Sequence, residues 1–129
     1  MELRIDARDG VPIYLQIVEQ IKRAVALGRL KPEESLPSVR QLALDLTINP
    51  NTVARAYLEL EHQGVIYKRQ GQGTFVSSQA AEVGRRERQK IVAALFEKAL
   101  VEAVNCGMSA AEIEDTYRHV IHRYKLETS

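Results

Sequence analysis

The stretch "PSVRQLALDLTINPNTVARAY", residues 37–57, constrains the fold more than any other part of the chain. Apolar residues recur at helical spacing on both sides of a polar break, "TINPN". Ser38 followed by Gln41 fits a capping box at the start of one short helix. Asn49 followed by Pro50 fits the start of the next, since asparagine caps well and proline suits the first helical position. The sequence therefore predicts two short helices joined by a tight turn.

The segments on either side of this helical pair extend the pattern. "PIYLQIVEQIKRAVALG" has apolar residues on one face, which predicts a first helix over residues 11–28. After the pair, "VIYKR" and "TFVSS" are rich in β-forming residues and flank "QGQG", which predicts a hairpin. Together these elements predict a winged helix-turn-helix, with the helix-turn-helix at about 39–58 and the hairpin, or wing, at about 65–78. The apolar residues expected to hold the helical pair together are Leu42, Leu46, Ile48, Val53 and Ala56.

Two further helices are predicted in the tail, at about residues 85–106 and 109–125, the second opened by the capping-box sequence "SAAE". The polar stretch "SSQAAEVG" is interpreted as the boundary between a domain of residues 1–79 and a two-helix region of residues 80–129. The first tail helix is apolar around much of its circumference, and such a helix needs burial on more than one side. We therefore expect a homodimer held by this region. Its predicted interface residues are Ile91, Leu95, Phe96, Leu100 and Val104.

The polar break explains which side chains the second helix of the pair would present. The turn would point the start of that helix outward, so that Asn51, Thr52 and Arg55 are exposed at a helix N-terminus. Asparagine can pair with adenine through two hydrogen bonds, and arginine with guanine or a phosphate. A helix N-terminus also favours a phosphate. These residue types predict contacts to DNA, to which Arg40 could add. The tip of the wing would supply further contacts from Lys68, Arg69, Gly71, Gln72 and Gly73.

Three strings make the pattern specific: "LPSVRQLA", "NPNTVARAYLELE" and "GQGTFV". With them, residues 11–77 resemble the DNA-binding domain of the GntR family of bacterial transcription regulators. The short tail resembles the YtrA-type branch of that family, in which two helices mainly dimerise the protein. The resemblance implies a mainly α fold with a small β-hairpin. By motif position it implies operator contacts from Arg40, Asn49, Asn51, Thr52 and Arg55, with Gly71 to Gly73 in the wing.

Two positions depart from the family pattern, which usually has glycine at both. Thr47 occupies the turn between the paired helices, and a β-branched residue is strained at a left-handed backbone position. We therefore expect the turn to differ locally. Glu33 follows Pro32, and we expect a type I turn there, because that turn tolerates most residues.

Composition limits the classes of protein that remain. The formal net charge is +1, so a role with nucleic acid depends on where charges lie rather than on their number. No apolar run approaches the ~18 residues of a membrane helix, and the charged start is unlike a secretory signal. The single cysteine, Cys106, cannot form an internal disulfide. We therefore expect a cytoplasmic protein without a membrane partner. The chain carries no recognisable catalytic motif, so we expect no enzymatic activity.

One face of the last predicted helix carries Asp115, His119 and His122, at spacings of four and three residues. Two imidazoles and a carboxylate at that spacing could hold a metal ion. The alternative is a solvated polar face opposite the apolar stripe of the same helix, and this interpretation is favoured. We therefore expect no metal and no other cofactor.

The combined prediction is a sequence-specific DNA-binding repressor that binds a palindromic operator as a homodimer. Release of the DNA by a small-molecule effector and control by the protein's own concentration are both left open. An alternative is a winged helix that binds a partner protein through its third helix, which the near-neutral charge favours. The exposed polar set of Asn51, Thr52 and Arg55 favours DNA, because a protein-binding face would carry more apolar anchors.

Overall fold

The structure, a computed structural model, describes residues 1–124. The chain divides into two compact units, residues 1–89 and the residues from Lys90 onward. None of the helices in the described part is long and apolar enough to cross a membrane. In chain order the elements are α1 (Ile13–Ala26), β1 (Ser35–Leu36), α2 (Val39–Leu46), α3 (Pro50–His62), β2 (Ile66–Arg69), β3 (Gly73–Val76), α4 (Ala80–Asn105) and α5 (Ala110–Arg123).

The core of the first unit lies between α1 and α3. Ile17 and Ile21 of α1 are fully buried, as are Val53 and Leu60 of α3, because each set recurs on one helical face. The apolar wedge predicted for the helical pair is confirmed. Within it Leu42, Val53 and Ala56 are buried, and Leu46 and Ile48 are half-buried against the same core.

The wing is part of a three-stranded antiparallel sheet with strand order β1-β3-β2. The β2–β3 hairpin was predicted, but β1 was missed. That strand has only two residues, Ser35 and Leu36, which pair with Phe75 and Thr74. A stretch of two residues is too short to show the alternating pattern that predicts a strand. β1 forms because the edge of β3 offers backbone groups with which it can pair.

The two positions where the family pattern has glycine adopt positive φ angles, 55° at Thr47 and 69° at Glu33. Thr47 is the C-cap of α2, with ψ 49°, so the turn keeps left-handed geometry and the expected local difference is wrong. The expected type I turn at Glu33 is also wrong. The N–H of Glu34 donates to the carbonyl of Lys31 at 3.0 Å, and a positive φ at the third residue of such a turn is that of type II.

The start of α4 lies five residues before the predicted start at residue 85, so the stretch interpreted as a domain boundary contains its first turn. Ala80 is fully buried. Gly84 lies against α1, where a Cβ would be 3.4 Å from the Cα of Ala26. The Nζ of Lys22 and the Oε1 of Glu87 form a buried ion pair at 2.9 Å. Because these contacts belong to the first unit, the chain divides after Gln89 rather than after residue 79.

The second unit consists of the rest of α4 and of α5. Ser109 and Glu112 form the predicted capping box. The predicted helix end near residue 125 lies outside the described residues. The rings of Phe96 and Tyr117 meet edge to face with their centroids 6.2 Å apart. Between Lys90 and Tyr124 no residue is buried, so one copy of this unit leaves its apolar side chains in water.

Candidate nucleic-acid interface

The start of α3 is exposed and is fixed by its cap. The Oδ1 of Asn49 accepts a hydrogen bond from the Asn51 N–H at 2.8 Å, and Pro50 occupies the first helical turn. Asn51 is exposed, and Thr52 is half-buried. Because the cap uses the side-chain oxygen of Asn49, the amide NH₂ of that residue is the part that can contact an external group.

Arg55 lies one turn after Asn51 on the same face of α3. Its guanidinium stacks on the ring of Tyr14 from α1, with the Cζ atom 3.8 Å from the ring centroid. A cation over an aromatic ring is attracted to the negative face of the ring, by about 0.5–1 kcal/mol at an exposed site. Tyr14 therefore restricts the directions in which the exposed Arg55 side chain can extend.

Tyr57 fixes α3 against the segment that leads into α2. Its ring is buried, and its hydroxyl donates a hydrogen bond to the carbonyl oxygen of Pro37 at 2.7 Å. Burial raises the pKa of Tyr57 above its ordinary value, so the hydroxyl stays protonated and remains a donor. Arg40, the second residue of α2, is exposed. Arg40 and the start of α3 therefore lie on two helices that this hydrogen bond and the tight turn hold in place.

The tip of the wing is narrow and allows the backbone to be approached closely. The N–H of Gln72 donates to the carbonyl of Arg69 at 3.0 Å and closes the tip. Gly71 and Gly73 have φ angles of 76° and 116°, a region that favours glycine. Apart from the adjacent residues, no atom of residues 1–124 lies within 4 Å of the place where a Cβ would stand at either glycine. Gln72 is exposed between them.

Both basic residues of the wing lie beside carboxylates. The Nζ of Lys68 is 3.6 Å from the Oε1 of Glu61 in α3. The Nη2 of Arg69 is 2.8 Å from the Oε2 of Glu33. The charge of the wing is thus locally balanced, in keeping with the net charge of +1 for the whole chain.

Two residues that contact the predicted set were missed by sequence reasoning. Tyr14 stacks on Arg55, and Glu33, which the sequence predicts only as a turn residue, pairs with Arg69. Tyr14 gave no separate signal, because it lies in line with Val18 and Ile21 on the apolar face of α1 and packs against the core, so its position predicts only a packing role. Glu33 gave no signal either, because its partner lies 36 positions later in the chain.

The metal-site alternative concerned three residues of α5. The Nδ1 of His119 lies 2.8 Å from the carbonyl oxygen of Asp115 and 3.5 Å from its Oδ2. Within residues 1–124 no three His, Cys, Asp or Glu side chains lie close enough together to hold a metal ion. Asp115, His119 and His122 are all exposed, as a solvated polar face would be.

The chain is similar to known transcription regulators in both sequence and structure. Residues 13–76 match the family described as bacterial regulatory proteins, gntR family. The HTH-type transcriptional repressor YtrA of Bacillus subtilis (strain 168) is 33% identical over 118 residues, which cover 92% of this chain and 91% of YtrA. A transcriptional regulator from Oenococcus oeni has a TM-score of 0.76 and 37% identity, over 91% of this chain and 97% of that chain. AraR(DBD) in complex with operator ORX1 has a TM-score of 0.53 and 27% identity, over 60% of this chain and 99% of that chain.

The similarity to YtrA extends through the tail as well as the winged helix-turn-helix, and the Oenococcus oeni regulator has nearly the same length. The resemblance found in the three sequence strings is therefore confirmed. The chain belongs to the GntR family of bacterial regulatory proteins, in its short, YtrA-type branch.

Proposed function

We propose that this protein is a cytoplasmic transcriptional repressor that binds a palindromic operator as a homodimer. The observation that carries the proposal is the exposed, capped start of α3, on which Asn51 and Arg55 lie one turn apart. Among its relatives, YtrA is a transcriptional repressor and AraR(DBD) was solved bound to an operator. Repression would follow from occupation of the promoter by the bound dimer.

In this proposal α3 enters the major groove and its first turns meet the base edges. Asn51 and Arg55 are assigned to bases, since their side chains can form paired hydrogen bonds with adenine and guanine. Thr52 is assigned to a phosphate, because this half-buried residue lies at the helix N-terminus. Arg40 and the wing tip at residues 68–73 are assigned to the flanking DNA. Each of these roles is a proposal that rests on exposure and residue type.

The homodimer is proposed from the apolar side chains of the second unit. The residues of α4 and α5 border an open groove with a volume of about 810 Å³. Its lining is mostly apolar and includes Phe96, Ala99, Leu100, Ala103, Ile113, Tyr117 and Val120. Leu95 and Val104 are each 60% exposed. We propose that a second copy of the chain fills this groove, because its own exposed α4 is apolar. A dimer would also place two α3 helices on one operator.

Sedimentation at about ten to fifty micromolar tests the dimer. We expect the unmodified chain to sediment as a dimer and Leu100→Asp to shift it toward monomer, because the new carboxylate would be buried in the interface. Lys98→Asp is the matched control, since residues two apart lie about 200° around a helix and Lys98 is exposed outside the groove. A monomeric unmodified chain, or equal effects of both changes, would contradict the proposed interface.

Selection of binding sites from random DNA, followed by titration, tests the DNA contacts. We expect the full chain to enrich a palindrome, and Arg55→Ala to lose about 1–3 kcal/mol and to relax specificity at one base pair of each half-site. A phosphate contact would instead weaken binding equally on all sequences and make the salt dependence shallower. Failure to enrich any sequence would favour the alternative of a protein-binding winged helix.

Effector control needs a separate measurement. The groove in the described part of the second unit is open rather than enclosed, so a small molecule is proposed to bind across the dimer interface. Thermal-shift screening of metabolites and divalent metals, followed by operator-release assays, tests this. A compound that raises the melting temperature without changing DNA affinity binds the protein but does not regulate it. A ligand with equal affinity for the DNA-free and DNA-bound forms does not shift the equilibrium between them. If no compound releases DNA, control by protein concentration is favoured.

A further inference from the structure

The single arginine of the wing, Arg69, is held by groups of its own protein. Its Nη2 lies 2.8 Å from the Oε2 of Glu33 and 2.7 Å from the hydroxyl oxygen of Tyr67. Its Cζ atom lies 4.4 Å from the centroid of the Phe75 ring on the neighbouring strand. The Tyr67 hydroxyl donates to Glu33, and this bond raises the pKa of Tyr67 and keeps its proton in place. Arg69 therefore has a defined position before any DNA is present.

Glu33 reaches Arg69 from a backbone conformation that an L-residue adopts at a cost. Its φ is 69°, a left-handed conformation that is strained for residues other than glycine. Its N–H donates to the carbonyl oxygen of Val76 at 2.8 Å, which ties the turn to β3. The carboxylate is thus placed beside Arg69 by the turn and the sheet together, and a glycine at this position would lack that carboxylate.

The ion pair is exposed enough for a ligand to displace it. The side chain of Arg69 is 44% exposed and that of Glu33 is 47% exposed. Pairs exposed to this degree contribute little to stability, because water screens the attraction. A guanidinium has five N–H donors. Within the described part of the chain, both hydrogen bonds that this guanidinium makes start from Nη2. A phosphate can therefore approach Arg69 from the solvent side, in competition with Glu33.

We propose that Glu33 is an internal competitor for Arg69: its carboxylate holds Nη2 and balances the charge of the guanidinium, so that a DNA phosphate must compete with it for Arg69. This inference rests on the proposed DNA-binding function. Without DNA, the carboxylate occupies Nη2 of Arg69, which is one of the donors that a phosphate oxygen could use. The wing then contributes less to affinity, and to the salt dependence of affinity, than its two basic residues would contribute alone.

Titration of operator DNA with the full chain, at salt from about 50 to 300 mM, tests the competition. Glu33→Gln keeps the size of the side chain and removes its charge. We expect affinity to tighten about two- to fivefold, the range that the loss of one exposed ion pair allows. The plot of log affinity against log salt should steepen by about 0.9, the value for one further phosphate contact. In an Arg69→Gln background, the same change should have no effect.

Glu34→Gln is the matched control. It removes a neighbouring carboxylate on the same turn, one that accepts a hydrogen bond from the Lys31 N–H at 3.3 Å. An equal gain from Glu34→Gln, or an equal gain from Glu33→Gln with and without Arg69, would show general repulsion and overturn the proposal. Unchanged DNA binding by Glu33→Gln would also overturn the proposal. Weaker binding would overturn it too, because it would show that Glu33 orients Arg69 for DNA. An unmodified chain that binds no DNA contradicts the proposed function itself, and the titration shows this before any variant is compared.

Discussion

Tyr14→Leu should weaken operator binding through Arg55, although Tyr14 lies on α1 and outside the predicted set of DNA contacts. The ring of Tyr14 lies 3.8 Å from the guanidinium carbon of Arg55. Leucine keeps an apolar side chain beside the core but cannot attract the cation. We expect Arg55 to sample more rotamers in this variant and to meet its base less often.

The expected magnitude follows from the stacking energy. An exposed cation–π contact is worth about 0.5–1 kcal/mol, which corresponds to a two- to fivefold loss of operator affinity. The rotamer entropy of an arginine side chain, about 2 kcal/mol, sets an upper limit. Tyr14→Phe is the matched control, because it keeps the aromatic ring and removes only the hydroxyl. Fluorescence anisotropy with labelled operator, on variants with checked melting temperatures, resolves differences of this size.

A double-mutant cycle decides whether the effect passes through Arg55. In an Arg55→Ala background, Tyr14→Leu should have no further effect on affinity, because the stack is already absent. The same loss in both backgrounds would refute the reasoning, since Tyr14 would then act independently of Arg55. A loss on Tyr14→Phe would refute it differently, by indicating that the hydroxyl itself contacts the DNA.

Three other predictions concern residues that shape the interface. Asn49→Ala should lower the stability of the fold by about 0.5–2 kcal/mol through loss of the α3 cap, whereas Asn49→Ser should keep the cap and the stability. Reduced operator affinity in the stable serine variant would indicate that the Asn49 amide also contacts DNA. Thr47→Gly should raise the free energy of unfolding by about 0.5–1 kcal/mol, because relief of the left-handed strain exceeds the entropy cost of glycine. Urea denaturation of this variant and of Thr47→Val measures the difference, and a glycine variant no more stable than the valine variant would contradict the prediction. Lys22→Met should destabilise the first unit by about 1–3 kcal/mol, because the buried Glu87 carboxylate loses this ion pair and keeps its other interactions. Adding Glu87→Leu should recover most of the loss in the same assay, and no recovery would show that the charge is not the cause.

Much of the helical framework could be predicted because its determinants are local. Asn49, Pro50 and the capping box of Ser109 and Glu112 act within one helical turn, so their sequence spacing is also their spatial arrangement. The same holds for the apolar stripes, whose period places them on one face before any tertiary contact forms. The family strings added the GntR family, its YtrA-type branch and Asn49 as a proposed contact, which periodicity and residue type alone do not supply.

The remaining features depended on partners far apart in the chain. β1 forms because β3 offers an edge, and α4 begins at Ala80 because that residue and Gly84 are buried against the rest of the first unit. Glu33 meets Arg69 only after the turn is tied to β3. Capping and periodicity act within a few residues and are present in the sequence itself. By contrast, strand pairing and contacts between distant side chains exist only when the whole chain has folded, and the tertiary structure alone decided them.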